Sequence, residues 1–172
     1  MTDNAYRTIK GLRATRSFEP RPLEPADLDA ILEAGRWTGS SKNVQGWVLV
    51  VIEDPASRER LAAAGNFTDP VRNCAAAVAL VKTSEGNDFD IGRVAQNLML
   101  AAAARGVGSC PVTLHHVEIA REVLALPGVH ECRYAVALGY PDRNAESVAR
   151  AGRRSAGMGG RKPTDQVIRR ER

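Results

Sequence analysis

The chain has 172 residues, 44% of them apolar and 26% charged, the composition of a folded globular domain rather than a disordered segment. Its longest apolar runs, such as Cys74–Val81, are too short to span a bilayer, and no apolar stretch follows the N-terminal charges as in a secretory signal. The net charge of +4 is uneven, with +6 in residues 143–172 against −2 in residues 1–142.

Residues 2–11 read as a short helix, with Tyr6 and Ile9 on one face and Thr2 or Asp3 as cap. A polar segment, Leu12–Phe18, follows, and Pro20 and Pro22 keep the next stretch extended. Pro25 stands where a first-turn proline belongs, with Asp27 and Asp29 near the positive helix end. Leu28, Ile31, Leu32 and Trp37 carry the 3.6-residue period, and Gly39 lies just past the end.

Trp47–Glu53 is an apolar, β-branched run that predicts a strand buried on both faces. Asp54-Pro55 starts a turn into a helix over 57–64, and Cys74–Val81 predicts a second buried strand. After a loop at 83–88, Ile91–Arg105 is the longest predicted helix, stopped by Gly106 and Gly108. Val117–Leu126 predicts a helix and Arg133–Leu138 a third strand. Residues 142–160 read as irregular and glycine-rich, and 164–170 as a short helix or strand. Strands and helices mix without strict alternation, which predicts an α+β fold with a small central mixed sheet covered by helices. The chain reads as a single domain, 1–172, with a basic glycine-rich segment from about 143 to 172. It holds 26 alanines and eight aromatic residues, and such small side chains bury little area each. A core built this way is expected to be completed against a second copy of the chain.

Most catalytic signatures are absent: no GxGxxG follows a strand, and there is no GxxxxGK[ST] or GxSxG. The three distant cysteines, Cys74, Cys110 and Cys132, fit neither a disulfide framework nor a zinc site, and they read as reduced thiols of a cytoplasmic protein. The adjacent His115 and His116 read as a loop or helix-cap pair, so no metal is expected. Aromatic residues are scarce and the basic ones lie in a glycine-rich tail, which argues against a nucleic-acid partner.

Two polar segments remain. Arg13-x-x-Arg16 can converge two guanidiniums on one anionic group. Gly39-Ser40-Ser41-Lys42-Asn43-Val44-Gln45-Gly46-Trp47 sets hydroxyl and amide groups between a helix end and a strand, able to meet the edge of a planar heterocycle or to satisfy local backbone. In order and spacing these segments resemble those of the nitroreductase family. The resemblance continues through Asp90-Ile91-Gly92, Gln96-Asn97-Leu98, the run Ala101–Cys110, Leu138-Gly139-Tyr140-Pro141 and Gly160-Arg161-Lys162-Pro163, nearly the whole chain.

That resemblance implies a homodimer with FMN held at the subunit interface, NADH or NADPH as reductant, and a small electron-poor acceptor of nitroaromatic or quinone type. It implies that Arg13, Ala14, Thr15 and Arg16 meet the flavin, that Arg161 binds its phosphate, and that Ser40, Ser41 and Asn43 reach it from the partner subunit. The stretch Pro111–Leu114, with Pro111, Val112 and Leu114 as contacts, would lie along the ring, with a backbone N–H near Leu114 toward its N5. The chemistry would belong to the cofactor, without a catalytic side chain. Alternatives on the same fold are specialised flavin chemistry and a flavin-binding or storage protein. Both prolines of the family's loop pattern are glycines here, Gly39 and Gly46, which predicts a looser loop. The short Lys82–Asp90 connection predicts an open site without a lid helix.

Overall fold

The two apolar runs at 47–53 and 74–81 meet each other. In the computed structural model, which describes residues 3–158 and 160–171, Trp47–Ile52 forms β1 and Ala76–Lys82 forms β2. They pair antiparallel, with Trp47 opposite Lys82 and Ile52 opposite Ala77. β4 (Glu131–Gly139) lies on the other side of β2, and β3 (Gly108–Thr113) pairs with β4. The strand order is therefore β1-β2-β4-β3. All three pairings are antiparallel, which corrects the expected mixed sheet. β2 and β3 do run the same way, but β4 lies between them, so no parallel neighbours pair.

Alternation along the strands divides the core. Ala76, Val78, Leu80, Val136 and Leu138 face Leu28 and Ile31 of α2 (Pro25–Arg36) and Ile91, Val94 and Leu98 of α5 (Asp88–Ala104). Ala77, Ala79, Val81, Ala135 and Ala137 face the other way, toward Leu61 of α3 (Pro55–Ala62), Val71 of α4 (Asp69–Asn73) and Ala120 of α6 (Val117–Val123). Each fully buried Leu or Val contributes about 1.5–3 kcal/mol over its exposed state. α2 and α5 approach closely because Gly35 has no side chain: a Cβ there would stand 2.7 Å from Leu98 Cδ2. The first helix, α1, covers Asp3–Gly11; the alternative cap, Thr2, lies outside the described residues.

Four local expectations are corrected. β1 is an edge strand with Val48 46% exposed, so it is not covered on both faces; its apolar run hides the alternation. Trp37 sits at the C-cap of α2, beyond the helical period, and is 74% exposed with its Nε1 donating to Glu33 Oε1. β3 and the five-residue α4 were absent from the predicted order. Gly108 and Pro111 read as strand breakers, while α4 is too short to show a period. Residues 143–155 form a helix, α7, rather than irregular chain.

Contacts divide the chain into residues 1–142 and 143–172. Within the second unit, Arg150 and Arg153 of α7 approach Glu146 at 3.7 and 3.6 Å, and a 3₁₀ turn covers Thr164–Gln166.

The loop before β1 is tightly specified at Gly46. Its backbone lies on that of Gly86: a Cβ on Gly86 would come 2.1 Å from Gly46 O, and one on Gly46 would come 2.5 Å from Gly86 Cα. Thr83 N also donates to Gly46 O at 3.1 Å. The glycine in place of proline thus serves a backbone-on-backbone contact.

Two outcomes follow from this packing. Gly86→Ala forces those backbones apart and should lower the unfolding free energy by about 1–3 kcal/mol in urea titration. Gly92→Ala, on α5 with nothing within 4 Å, should instead add roughly 0.5–1 kcal/mol. Equal effects at the two sites would contradict the close approach. The thiols give the second outcome. Burial pushes Cys74 up to about 11 and Cys132 up to about 12. At pH 8 both hold almost no thiolate, so iodoacetamide should modify them only in unfolded chains. Fast modification of Cys132 in the native protein would contradict its placement.

Candidate functional site

The polar segment after α1 is laid along the end of the sheet. Thr15 N donates to Ser109 O and Glu19 N to Tyr140 O, both at 2.8 Å, and Asp142 N donates to Ser17 O at 3.1 Å. This approach requires bare backbone opposite. A Cβ on Gly108 would meet the Thr15 side chain at 2.8 Å, and one on Gly139 would meet the Phe18 ring at 2.8 Å. The segment so fixed brings Arg16 to the outer edge of β3.

That edge has a definite parity. Leu114 N donates to Arg133 O at 2.8 Å, one step beyond the pair Thr113↔Tyr134. In an antiparallel ladder alternate residues face the partner strand, so Leu114, Val112 and Cys110 direct their backbone groups at β4. Ser109, Pro111 and Thr113 direct theirs outward. Ser109 O is taken by Thr15. Pro111 has no N–H to lose, which is why a proline is tolerated inside this strand. Thr113 is left with an outward N–H that finds no partner among the described residues. The outward amide near Leu114 is therefore that of Thr113, since the Leu114 N–H itself is committed to the sheet.

Beside this edge lies a cleft of about 560 Å³, lined by Arg16, Cys110, Pro111, Val112, Thr113 and His115 and, from the α3–α4 connection, Asn66, Phe67, Asp69 and Pro70. Its size suits a small flat molecule. One side is apolar strand, and the rim carries a guanidinium, an amide and an imidazole. Asp69 is tied to Arg72 at 3.0 Å. The Asn66 wall is fastened from several directions: Asn66 N donates to His115 Nδ1 at 3.3 Å, Asn66 Oδ1 lies 3.2 Å from His116 Nε2, and His116 N donates to Ala64 O at 2.8 Å. Thr68 Oγ1 donates to Ala62 O at 2.7 Å beneath it. Phe67 is 81% exposed and meets His115 edge to face, with centroids 6.4 Å apart at 70°.

Of the residues singled out by sequence, the fold brings Arg16, Pro111 and Val112 to this cleft. Arg13 turns back instead, its Nη1 donating to Lys10 O and Leu12 O at 2.7 Å. Thr15 is buried against Gly108, Ala14 packs on the core, and Leu114 is buried. Ser41 and Asn43 lie in an exposed 3₁₀ turn capped by the half-buried Ser40, and none of the three lines the cleft. There Lys42, Asn43 and Gln45 take left-handed φ of 53°, 56° and 50°, a conformation costing about 1–2 kcal/mol per residue. The turn is held by Ser40 Oγ accepting from Gln45 N at 2.8 Å and Asn43 Oδ1 accepting from Gln45 Nε2 at 3.0 Å. Arg93 Nη1 donates to Gly39 O at 2.6 Å. Arg161 belongs to the second unit, exposed, with Nη1 donating to Gly160 O at 3.1 Å. Sequence reasoning missed Asn66, Phe67 and His115 as wall residues; only the histidine pair carried a signal. Among the described residues no group of three His, Cys, Asp or Glu side chains could hold a metal ion, and no helix is long and apolar enough to cross a membrane.

A family model described as the nitroreductase family matches residues 9–66 and 73–140, well over half of the chain. The chain belongs to the nitroreductase family. An NADPH-flavin oxidoreductase of Vibrio harveyi is 27% identical over 164 residues, covering 84% of this chain and 68% of its own length. A solved FMN-dependent nitroreductase of Clostridium difficile is 25% identical, with a TM-score of 0.73 over 80% of this chain and 88% of its own. The fold alone is shared with the NADPH:FMN oxidoreductase of Vibrio harveyi solved with NAD+, at 23% identity and a TM-score of 0.84, covering 98% of this chain and 77% of that one. The α+β sheet described above is thus the nitroreductase fold.

The parity of β3 is testable without any ligand. Thr113→Pro removes an outward N–H and should leave the unfolding free energy from urea titration within about 1 kcal/mol of the parent. Leu114→Pro breaks the bond to Arg133 O and strands a buried acceptor, costing at least about 1–3 kcal/mol. Equal loss from both substitutions would contradict the register.

Proposed function

We propose that this chain is an FMN-dependent NAD(P)H oxidoreductase acting on small electron-poor acceptors of nitroaromatic or quinone type. The observation that carries the reading is the Thr113 amide, without a partner among the described residues, on an apolar strand edge facing a cleft that Arg16 also lines. The donor set fits a flavin. Pro111 and Val112 offer an apolar surface to its rings, the Thr113 N–H a donor to a ring nitrogen, Asn66 an amide for its polar edge, and Arg16 a cation for its anionic tail. The names of the relatives support the same cofactor and reductant. Bound in this cleft, FMN would supply the two-electron chemistry, receiving hydride equivalents from NADH or NADPH and delivering them to the acceptor. The chain's part is to hold, orient and shield; no side chain need change its covalent state.

The reading extends to a cytoplasmic homodimer in which Ser40, Ser41 and Asn43 of the partner complete the site and Arg161 binds the phosphate. The rigid 3₁₀ turn at Ser41–Asn43, presented at the surface, and the half-covered edge strand β1 support such an interface. The Thr83–Asn87 connection passes straight from β2 to α5, with Asn87 Oδ1 accepting from Asp90 N at 2.9 Å, and holds no lid helix. Few side chains then select the acceptor, and discrimination needs such contacts.

Purified protein should carry a flavin spectrum, sediment as a dimer, and bleach under anaerobic NADH or NADPH. Steady-state kinetics with varied reductant and acceptor should give parallel double-reciprocal lines, with several unrelated quinones and nitroaromatics turning over. Colourless protein that fails to bind added FMN would overturn the proposal; flavin that resists both nicotinamides would reduce it to a flavin-binding role.

A further inference from the structure

The cleft holds one side chain whose geometry is settled before any ligand arrives. His115 Nδ1 accepts the backbone N–H of Asn66 at 3.3 Å, so that nitrogen carries no proton and the ring keeps its single hydrogen on Nε2. Asn66 is itself fixed by His116, and Phe67 braces the imidazole edge to face. Nε2 has no partner among the described residues, although the ring lines the cleft beside Thr113 and Phe67. A donor so held, with its tautomer imposed from behind, costs no reorganisation when charge develops in front of it.

We propose that His115 hydrogen-bonds through Nε2–H to an oxygen of the bound acceptor and stabilises the negative charge that oxygen gains on reduction. The inference rests on the oxidoreductase reading above and adds a catalytic side chain to it. The overall step balances without proton transfer from the imidazole. A quinone takes two electrons and one hydrogen as hydride equivalents from NAD(P)H, which leaves as NAD(P)+. The oxygen left anionic takes its proton from water. His115 donates a hydrogen bond throughout and keeps its proton. The exposed Phe67 provides the flat apolar neighbour that such a ring-shaped acceptor would meet.

The test uses the whole flavin-loaded protein, p-benzoquinone as acceptor, and two substitutions. His115→Phe keeps a ring against Phe67 and removes the donor. His115→Gln places an amide N–H near the position of Nε2. Reduction by NADH, followed anaerobically in each variant, serves as the reference, and any slowing of it should be far smaller than that of reoxidation. Reoxidation by p-benzoquinone should slow on the order of 10²-fold in His115→Phe and recover most of that loss in His115→Gln. Two readouts are independent of turnover. Long-range proton–nitrogen couplings in ¹⁵N-histidine-labelled parent protein should show His115 with its hydrogen on Nε2. Benzoate, a flat ring with anionic oxygens that cannot be reduced, should bind at least about tenfold more weakly to His115→Phe than to His115→Gln. Parent-like reoxidation of His115→Phe, or a hydrogen found on Nδ1, would overturn the proposal. If the protein never bleaches with NADH or NADPH, the oxidoreductase reading has failed instead, and the tautomer and benzoate results still decide whether His115 is a poised donor.

Discussion

A strand at the end of a sheet leaves every second peptide unpaired, and the candidate site of this chain is built on that property of β3. The outward groups of Ser109 and Thr113 are treated differently along a short length of backbone. Ser109 O is closed off by Thr15 N, which can reach it only because Gly108 and Gly139 leave room for Thr15 and Phe18. Pro111 contributes no donor. Thr113 keeps its N–H toward the cleft, while its carbonyl is crowded by Gly65, whose Cβ would stand 2.7 Å away. One amide, on a strand fixed through β4 to the buried centre of the sheet, is thus presented to whatever occupies the cleft.

The rest of the fold holds that edge still. β2 and β4 are buried by residues of alternating parity, so neither can slip by one position without exchanging the two cores. α5 and α2 lock on one face through the bare Gly35, and the α3–α4 connection on the other carries Asn66 and Phe67 to the cleft. Tyr140, at the end of β4, donates to Asp27 Oδ2 at 2.8 Å, and Arg105 approaches the same carboxylate at 2.5 Å. The Arg105 and Tyr140 hydrogen bonds hold the Asp27 carboxyl below its ordinary range. That contribution is present above the unfolded carboxylate range and is lost as pH falls through the lowered value.

Much of this was legible in the residues. Pro25 marks the start of α2, Cys74–Val81 predicts a buried strand that forms over Ala76–Lys82, and the Arg16 segment and the Ser40–Asn43 loop stand out by spacing and resemblance. What escaped did so for physical reasons. Gly108 and Pro111 are breakers in the abstract and become acceptable only because one lies under Thr15 and the other faces out of the ladder. The glycines at 157 and 160 mask the helix-forming Ala and Arg residues of 143–155. Asn66 and His115 lie far apart in the chain and Asn66 carries no motif, and only the register of β3 on β4 shows which amide near Leu114 has no partner among the described residues. The Gly46 substitution looked like slack and is a contact between two backbones.

Amide hydrogen exchange at two neighbouring residues tests the central claim most directly. In the protein stripped of cofactor, the Leu114 amide should exchange slowly and the Thr113 amide fast, because only the first is in the ladder. On adding FMN, Thr113 should become protected while Leu114 stays as it was. A Thr113 amide already protected without FMN, or one left fast when FMN is bound, would contradict a flavin seated on the outer edge of β3.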